Sequence, residues 1–208
     1  LTKIARDAGA VSVVDGAHAP GQIKVDLKKI DADFYVGNCH KWMLSPKGAG
    51  FVYASREYEN KIRPPAISWG NISEGSSSLL MENDWQGTTD ISSILAVQDS
   101  IEFLNQHEWF ETIIPRSAQL ISEFNDKVLN VTGMDDLYVC NDLRPPQMRT
   151  YLLPEGDHSS LHTELFQHFK VDVPVFLHPE GKMFRISVQA YNNESDLDRL
   201  VAALRELL

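Results

Sequence analysis

Two short stretches of the chain hold side chains whose types and spacing could do chemistry. In Val11-Ser-Val-Val-Asp15-Gly-Ala-His18, a carboxylate and an imidazole follow directly on a short β-branched apolar run. If that run is a buried strand, Asp15 and His18 stand just past its carboxyl end, where ligands sit in open α/β sheets. In Gly37-Asn38-Cys39-His40-Lys41-Trp42-Met43-Leu44, a lysine lies just beyond a second such run, among apolar neighbours. Apolar company strips solvation from an ammonium and makes an amine usable as nucleophile or base, which is what a Schiff-base lysine needs. Each residue also has a plainer role. Asp15 can form a turn or cap a helix, His18 can be an ordinary satisfied histidine, and Lys41 can lay its stem on Trp42 with its head in water.

Other groups offer less. His158 and His162 have the i, i+4 spacing that zinc sites use, but no third ligand stands near them in the sequence. Cys39 and Cys140 are far apart and lack metal-type spacing, which suits a reducing compartment, so we expect a cytoplasmic protein. Beside a lysine, Cys39 is read as a buried structural thiol rather than a nucleophile. Acidic residues outnumber basic ones 29 to 19 and the net charge is −10, with no Lys/Arg cluster able to neutralise several phosphates, so no nucleic-acid partner is expected. No run of eighteen apolar residues suggests a membrane helix.

The elements that must position these groups can be read from periodicity. At 208 residues the chain suits one large domain, or one with a small partner. It opens LTKIARDAGAVSVVD, which reads as the tail of a helix running into a strand, as though the sequence begins mid-domain. Val11–Val14, Phe34–Gly37 and Gly50–Ala54 read as strands, and the Pro/Gly/Ser-rich stretch Arg63–Gly87 as mostly irregular. Within that stretch Trp69, Trp85 and the Arg63-Pro-Pro loop could wall a substrate site or merely pack. Ile94, Val97, Ile101 and Leu104 then mark a helix starting near Ile91, capped by Thr89 and Asp90. A second stripe from Phe110 through Ser117, Ile121, Phe124 and Val128 ends before Gly133. Beyond it come a strand (Met148–Leu153), a helix (Ser159–Phe169), strands Val171–Phe176 and Met183–Val188, and a last helix (Glu194–Leu207) capped by Asn193. Strands interleaved with helices make the class α/β.

Taken together, Asp15-Gly-Ala-His18, then His40-Lys41 and a Pro/Gly loop, resemble the class V aminotransferase family of pyridoxal-phosphate enzymes. Gln86-Gly87-Thr88-Thr89-Asp90 extends the likeness, as does Phe184-Arg185-Ile-Ser-Val-Gln-Ala-Tyr191-Asn192 followed by an amphipathic helix. Within the family the likeness is strongest to the isopenicillin N epimerase-like branch, with cysteine desulfurases further off. It implies a fold-type-I architecture. Residues 1–90 would be the remainder of a cofactor-binding large domain with a mostly parallel sheet and its N-terminal half missing. Residues 91–130 would form a helical connector and 131–208 a small C-terminal domain.

The resemblance also implies roles. Lys41 would hold pyridoxal 5'-phosphate as a Schiff base and act as base or acid at the α-carbon of an amino-acid substrate. Asp15 would pair with the pyridine nitrogen and His18 would lie near the ring oxygen. His40, and Asn38 in place of the usual Ser, would help hold the phosphate. Thr88 would reach the phosphate across a homodimer interface, unless it only caps a helix. Arg185 would clamp the substrate carboxylate, the alternative being a strand arginine paired at the surface. Cysteine desulfurases carry a mobile cysteine loop ahead of that arginine. Here the stretch is His178-Pro-Glu-Gly-Lys-Met183, so persulfide transfer is not expected. Epimerisation and C–S lysis both stay open. So do two readings of other classes: a zinc hydrolase built on Asp15, His18 and His40, and a non-catalytic truncated remnant.

Overall fold

The computed structural model describes residues 1–70, 79–84, 87–138 and 140–208. They fall into two compact units, residues 1–106 and 107–208.

In the first unit α1 (Thr2–Asp7) precedes β1 (Val13–Asp15), α2 (Leu27–Ile30), β2 (Phe34–Asn38) and β3 (Gly50–Ala54). The strands form one sheet in the order β1-β2-β3. β1 runs parallel to β2, with Val14 opposite Tyr35 and Asp15 opposite Val36. β3 returns antiparallel to β2, with Asn38 opposite Gly50. Register at the parallel pair is pinned by Ser12 and Asp33. The Asp33 carboxylate accepts the Ser12 N–H at 2.7 Å and its hydroxyl at 2.8 Å, while the Asp33 N–H donates to that hydroxyl at 2.9 Å. These donors hold the Asp33 carboxyl below the usual carboxylate range, the backbone bond first. α2 escapes a periodicity reading because it has only four residues, yet Asp26 caps it by accepting from the Lys28 and Lys29 amides.

Next come α3 (Leu79–Asp84), α4 (Ser92–Leu95) and α5 (Val97–Gln106). α3 lies in the stretch expected to be irregular. The helix expected from Ile91 onward is broken at Ala96, and of its apolar stripe only Leu104 is buried; Ile94 and Ile101 are exposed.

The second unit opens with one π-helical turn (Trp109–Ile113) and α6 (Ile114–Thr132), where Pro115 falls in the first turn and costs no helical bond. It continues with β4 (Met148–Leu152), α7 (Leu161–Phe169), β5 (Val175–His178), β6 (Gly181–Ser187) and α8 (Glu194–Leu207). The sheet is antiparallel, ordered β4-β6-β5. β5 starts later than its apolar pattern suggests, because Pro174 has no N–H to give a ladder. α6, α7 and α8 bury Phe124, Val128, Leu165, Leu200 and Leu204 with Tyr151 and Phe184 of the sheet. The Tyr151 and Phe184 rings stack at 5.4 Å between centroids. α8 begins with a full capping box, the Asn193 and Asp196 side chains each accepting from the other's end of the turn.

Candidate active site

Because β1 and β2 are parallel, their carboxyl ends deliver Asp15 and Asn38 to the same edge of the sheet. Asp15 is exposed there. Its carboxylate accepts the Ala17 N–H at 3.0 Å, so the plainer role as a turn former is present alongside any other. Gly16 has no Cβ because the buried Tyr35 phenol lies where one would be, 1.9 Å from it. Among the described residues that buried Tyr35 hydroxyl has no hydrogen-bond partner. Burial, and secondarily the Asp15 charge, push its ionisation up.

The loop after β1 turns on the Ala19 and Gln22 amides, which donate to Gly16 and Ala19 carbonyls at 2.9 and 3.0 Å. The Gln22 side chain donates to the His18 carbonyl at 2.9 Å. The loop after β2 closes on the Ala49 carbonyl, which accepts the Cys39 amide at 3.1 Å and the His40 Nδ1–H at 2.7 Å. The two loops touch backbone to backbone at Gly21. Its φ is +87°, and a Cβ there would stand 2.3 Å from the carbonyl carbon of Trp42.

That close approach sets His18 between two residues of the other loop. The Trp42 indole N–H donates to His18 Nδ1 at 3.1 Å, and Lys41 Nζ lies 3.1 Å from His18 Nε2. Trp42 is buried, whereas Leu44, expected to help desolvate the lysine, is 41% exposed. Lys41 is half-buried. Cys39 is buried, and burial alone pushes its thiol up, the wrong direction for a nucleophile.

His18 and Lys41 are thus in contact, with Asp15, Asn38 and His40 at the same sheet edge. Thr88 is exposed ahead of α4, and Gln86 and Trp85 lie outside the described residues. Trp69 is exposed. One residue ahead of the cap position of α4, which Ile91 holds without a side-chain cap, the Asp90 carboxylate accepts the Ser92 N–H at 2.9 Å. Arg185 belongs to the second unit. It sits on β6 opposite Thr150, on the face away from buried Phe184 and Ile186, and its buried Nε has no hydrogen-bond partner among the described residues. His178 and Gly181 pair across a two-residue turn, so the segment ahead of Arg185 is a tight hairpin without cysteine.

The donor set does not suit zinc. Trp42 and Lys41 occupy the two ring nitrogens of His18, and His40 spends Nδ1 on Ala49. Among the described residues no three His, Cys, Asp or Glu side chains gather as metal ligands. His158 turns to the Pro154 carbonyl and His162 to Asp172. Trp42 and Gly21 were the residues that sequence reasoning missed. The signal was there: a buried indole N–H must find an acceptor.

The model of the aminotransferase class-V family matches residues 1–200, and the chain belongs to that family. The chain is 33% identical over its whole length to isopenicillin N epimerase of Amycolatopsis lactamdurans, covering 55% of that protein. It is 33% identical to L-cysteine desulfhydrase of Arabidopsis thaliana, again along the whole chain and covering 50% of the relative. The chain therefore spans about half the length of these curated relatives. A cysteine desulfurase from Thermococcus onnurineus NA1 has the same fold, with a TM-score of 0.80 at 22% identity over 99% of this chain and 54% of that one. The cysteine desulfurase CsdA of Escherichia coli matches equally, at 0.80 and 23% over 99% of this chain and 54% of that one. The α/β fold class expected from the sequence, that of the fold-type-I enzymes, is the one found. The family is one of pyridoxal-phosphate enzymes, and the residues present fit that cofactor. A lysine amine lies against an imidazole, an exposed carboxylate ends the neighbouring strand, and a buried Tyr35 hydroxyl at the same edge has no partner among the described residues. Among the described residues no helix is long and apolar enough to cross a membrane.

Proposed function

We propose that this chain carries the lysine-bearing part of a pyridoxal 5'-phosphate enzyme that acts at the α-carbon of a small amino-acid substrate, with isopenicillin N epimerase-like chemistry. The observation that carries the reading is the placement of Lys41 Nζ 3.1 Å from His18 Nε2, beside the strand that ends in Asp15. When bound, the cofactor supplies an electron sink that makes the α-proton of an amino acid removable. Lys41 would hold the cofactor covalently through Nζ, and its amine, displaced by the amine of the substrate, would move the α-proton. Asp15 keeps the pyridine nitrogen protonated. His40 and Asn38 bind phosphate, with Thr88 contributed from the second subunit of a homodimer. Arg185, whose buried Nε has no hydrogen-bond partner among the described residues, takes the substrate carboxylate in a planar fork. Two free cysteines, one of them buried, are compatible with a cytoplasmic setting.

A C–S lyase is the second reading, favoured by the equal 33% identity to an L-cysteine desulfhydrase. The cysteine-free hairpin before Arg185 supports neither persulfide transfer nor a desulfurase. A scan of amino acids with the full-length protein separates the readings. Loss of optical rotation without pyruvate is the expected result. Pyruvate with ammonia would establish the lyase instead, and turnover surviving Lys41→Ala would refute both.

A further inference from the structure

We propose that Trp42 is a positioning residue that fixes the ring proton of His18 on Nε2, the nitrogen that faces Lys41. An indole N–H can only donate. Its bond to Nδ1 at 3.1 Å therefore demands a lone pair on that nitrogen, which neither the imidazolium nor the Nδ1–H tautomer has. The one proton of the ring stands on Nε2, 3.1 Å from Lys41 Nζ. A Lys41 ammonium has no lone pair to accept that proton, so the contact is a hydrogen bond only to a neutral Nζ or to another acceptor held at that place, and in this tautomer His18 has no lone pair on Nε2 with which to act as a base. Proton movement at the reacting carbon falls to Lys41.

The surroundings enforce this choice. Trp42 is buried, so breaking its bond would leave an indole N–H without water. The backbone contact at Gly21 leaves the two loops no slack, and the Gln22 amide holds the His18 carbonyl at 2.9 Å.

The assignment of the ring proton stands on this chain alone, whereas its consequence for catalysis rests on the function proposed above. The test is a long-range ¹H–¹⁵N correlation spectrum of the full-length, cofactor-free protein labelled in histidine, taken near pH 6.5, about where free imidazole is half charged. His18 is expected to show an unprotonated Nδ1 and a protonated Nε2. In Trp42→Phe the two shifts should move toward the average of exchanging forms. His18 protonated on Nδ1 in the unmodified protein overturns the proposal even if Trp42→Phe fails to fold, and so does a Trp42→Phe protein with unchanged shifts. A second variant checks the consequence. His18→Gln keeps a donor but cannot act as an imidazole base, and should retain turnover within about tenfold. Turnover in His18→Gln as low as in Lys41→Ala would show that His18 is a base. The expected shifts in a protein whose Lys41 takes no cofactor would leave the proton assignment standing and refute the proposed function.

Discussion

Asp15 is exposed at the end of its strand, and its bond to the Ala17 amide would be made by any turn-forming aspartate. What separates a turn residue from a partner of the pyridine nitrogen is the charge. An asparagine at this position could keep the turn, because an amide oxygen accepts the same N–H, but it could not hold a ring nitrogen protonated. Asp15→Asn is therefore expected to keep the fold and the covalent cofactor while turnover falls by roughly a hundredfold or more. Steady-state rates alongside circular dichroism check this, and full turnover in the variant would reduce Asp15 to a turn former. Cys39 belongs to the same comparison of chemistry against context. It sits next to His40 in sequence, yet its burial leaves a thiol that is harder to ionise, so it contributes packing.

The elements hold the site together through two loops that meet at Gly21. A side chain there would face both a φ of +87° and the Trp42 backbone at 2.3 Å. Gly21→Ala should cost about 1–3 kcal/mol of stability and part His18 from Trp42. Thermal denaturation measures the first effect and indole fluorescence the second; an unchanged midpoint would mean that the loops have room to give. This contact was not legible in the sequence, because nothing in Pro20-Gly21 announces which backbone it will touch. The strands that carry the loops were legible. β3 spans the expected Gly50–Ala54 and β2 overruns its expected end by one residue, since apolar alternation between turn residues leaves little choice. α8 matches Glu194–Leu207 because a capping box and a leucine face mark both its start and its direction. Two short helices inside the chain were not legible. α2 and α3 are four and six residues long, too short for a period to show. In the candidate site, Asp15, His18, His40 and Lys41 stood out by type and order and the structure brings His18 and Lys41 into contact, whereas Trp42 was seen only as an apolar neighbour and its N–H was not followed to an acceptor.

Across the whole molecule, the principal buried apolar cluster runs from Leu120 to Leu204 and lies within the second unit. The first unit is organised differently. Val13, Val36 and Val52 share one face of its sheet and are 67%, 37% and 51% exposed. Local stability should follow this division: in hydrogen exchange on the 208-residue chain, amides of β6 and α8 are expected to exchange slowest and those of β1 much sooner. Equal protection in β1 and β6 would contradict it. The function proposed for the molecule depends on one covalent bond, between Lys41 Nζ and the cofactor. The measurement that tests it most directly is borohydride reduction of the full-length protein in the presence of pyridoxal 5'-phosphate, followed by peptide mapping. A single reduced adduct is expected on the peptide His40-Lys41-Trp42, absent from Lys41→Ala. No adduct with the cofactor in excess, or an adduct confined to another lysine, would contradict it.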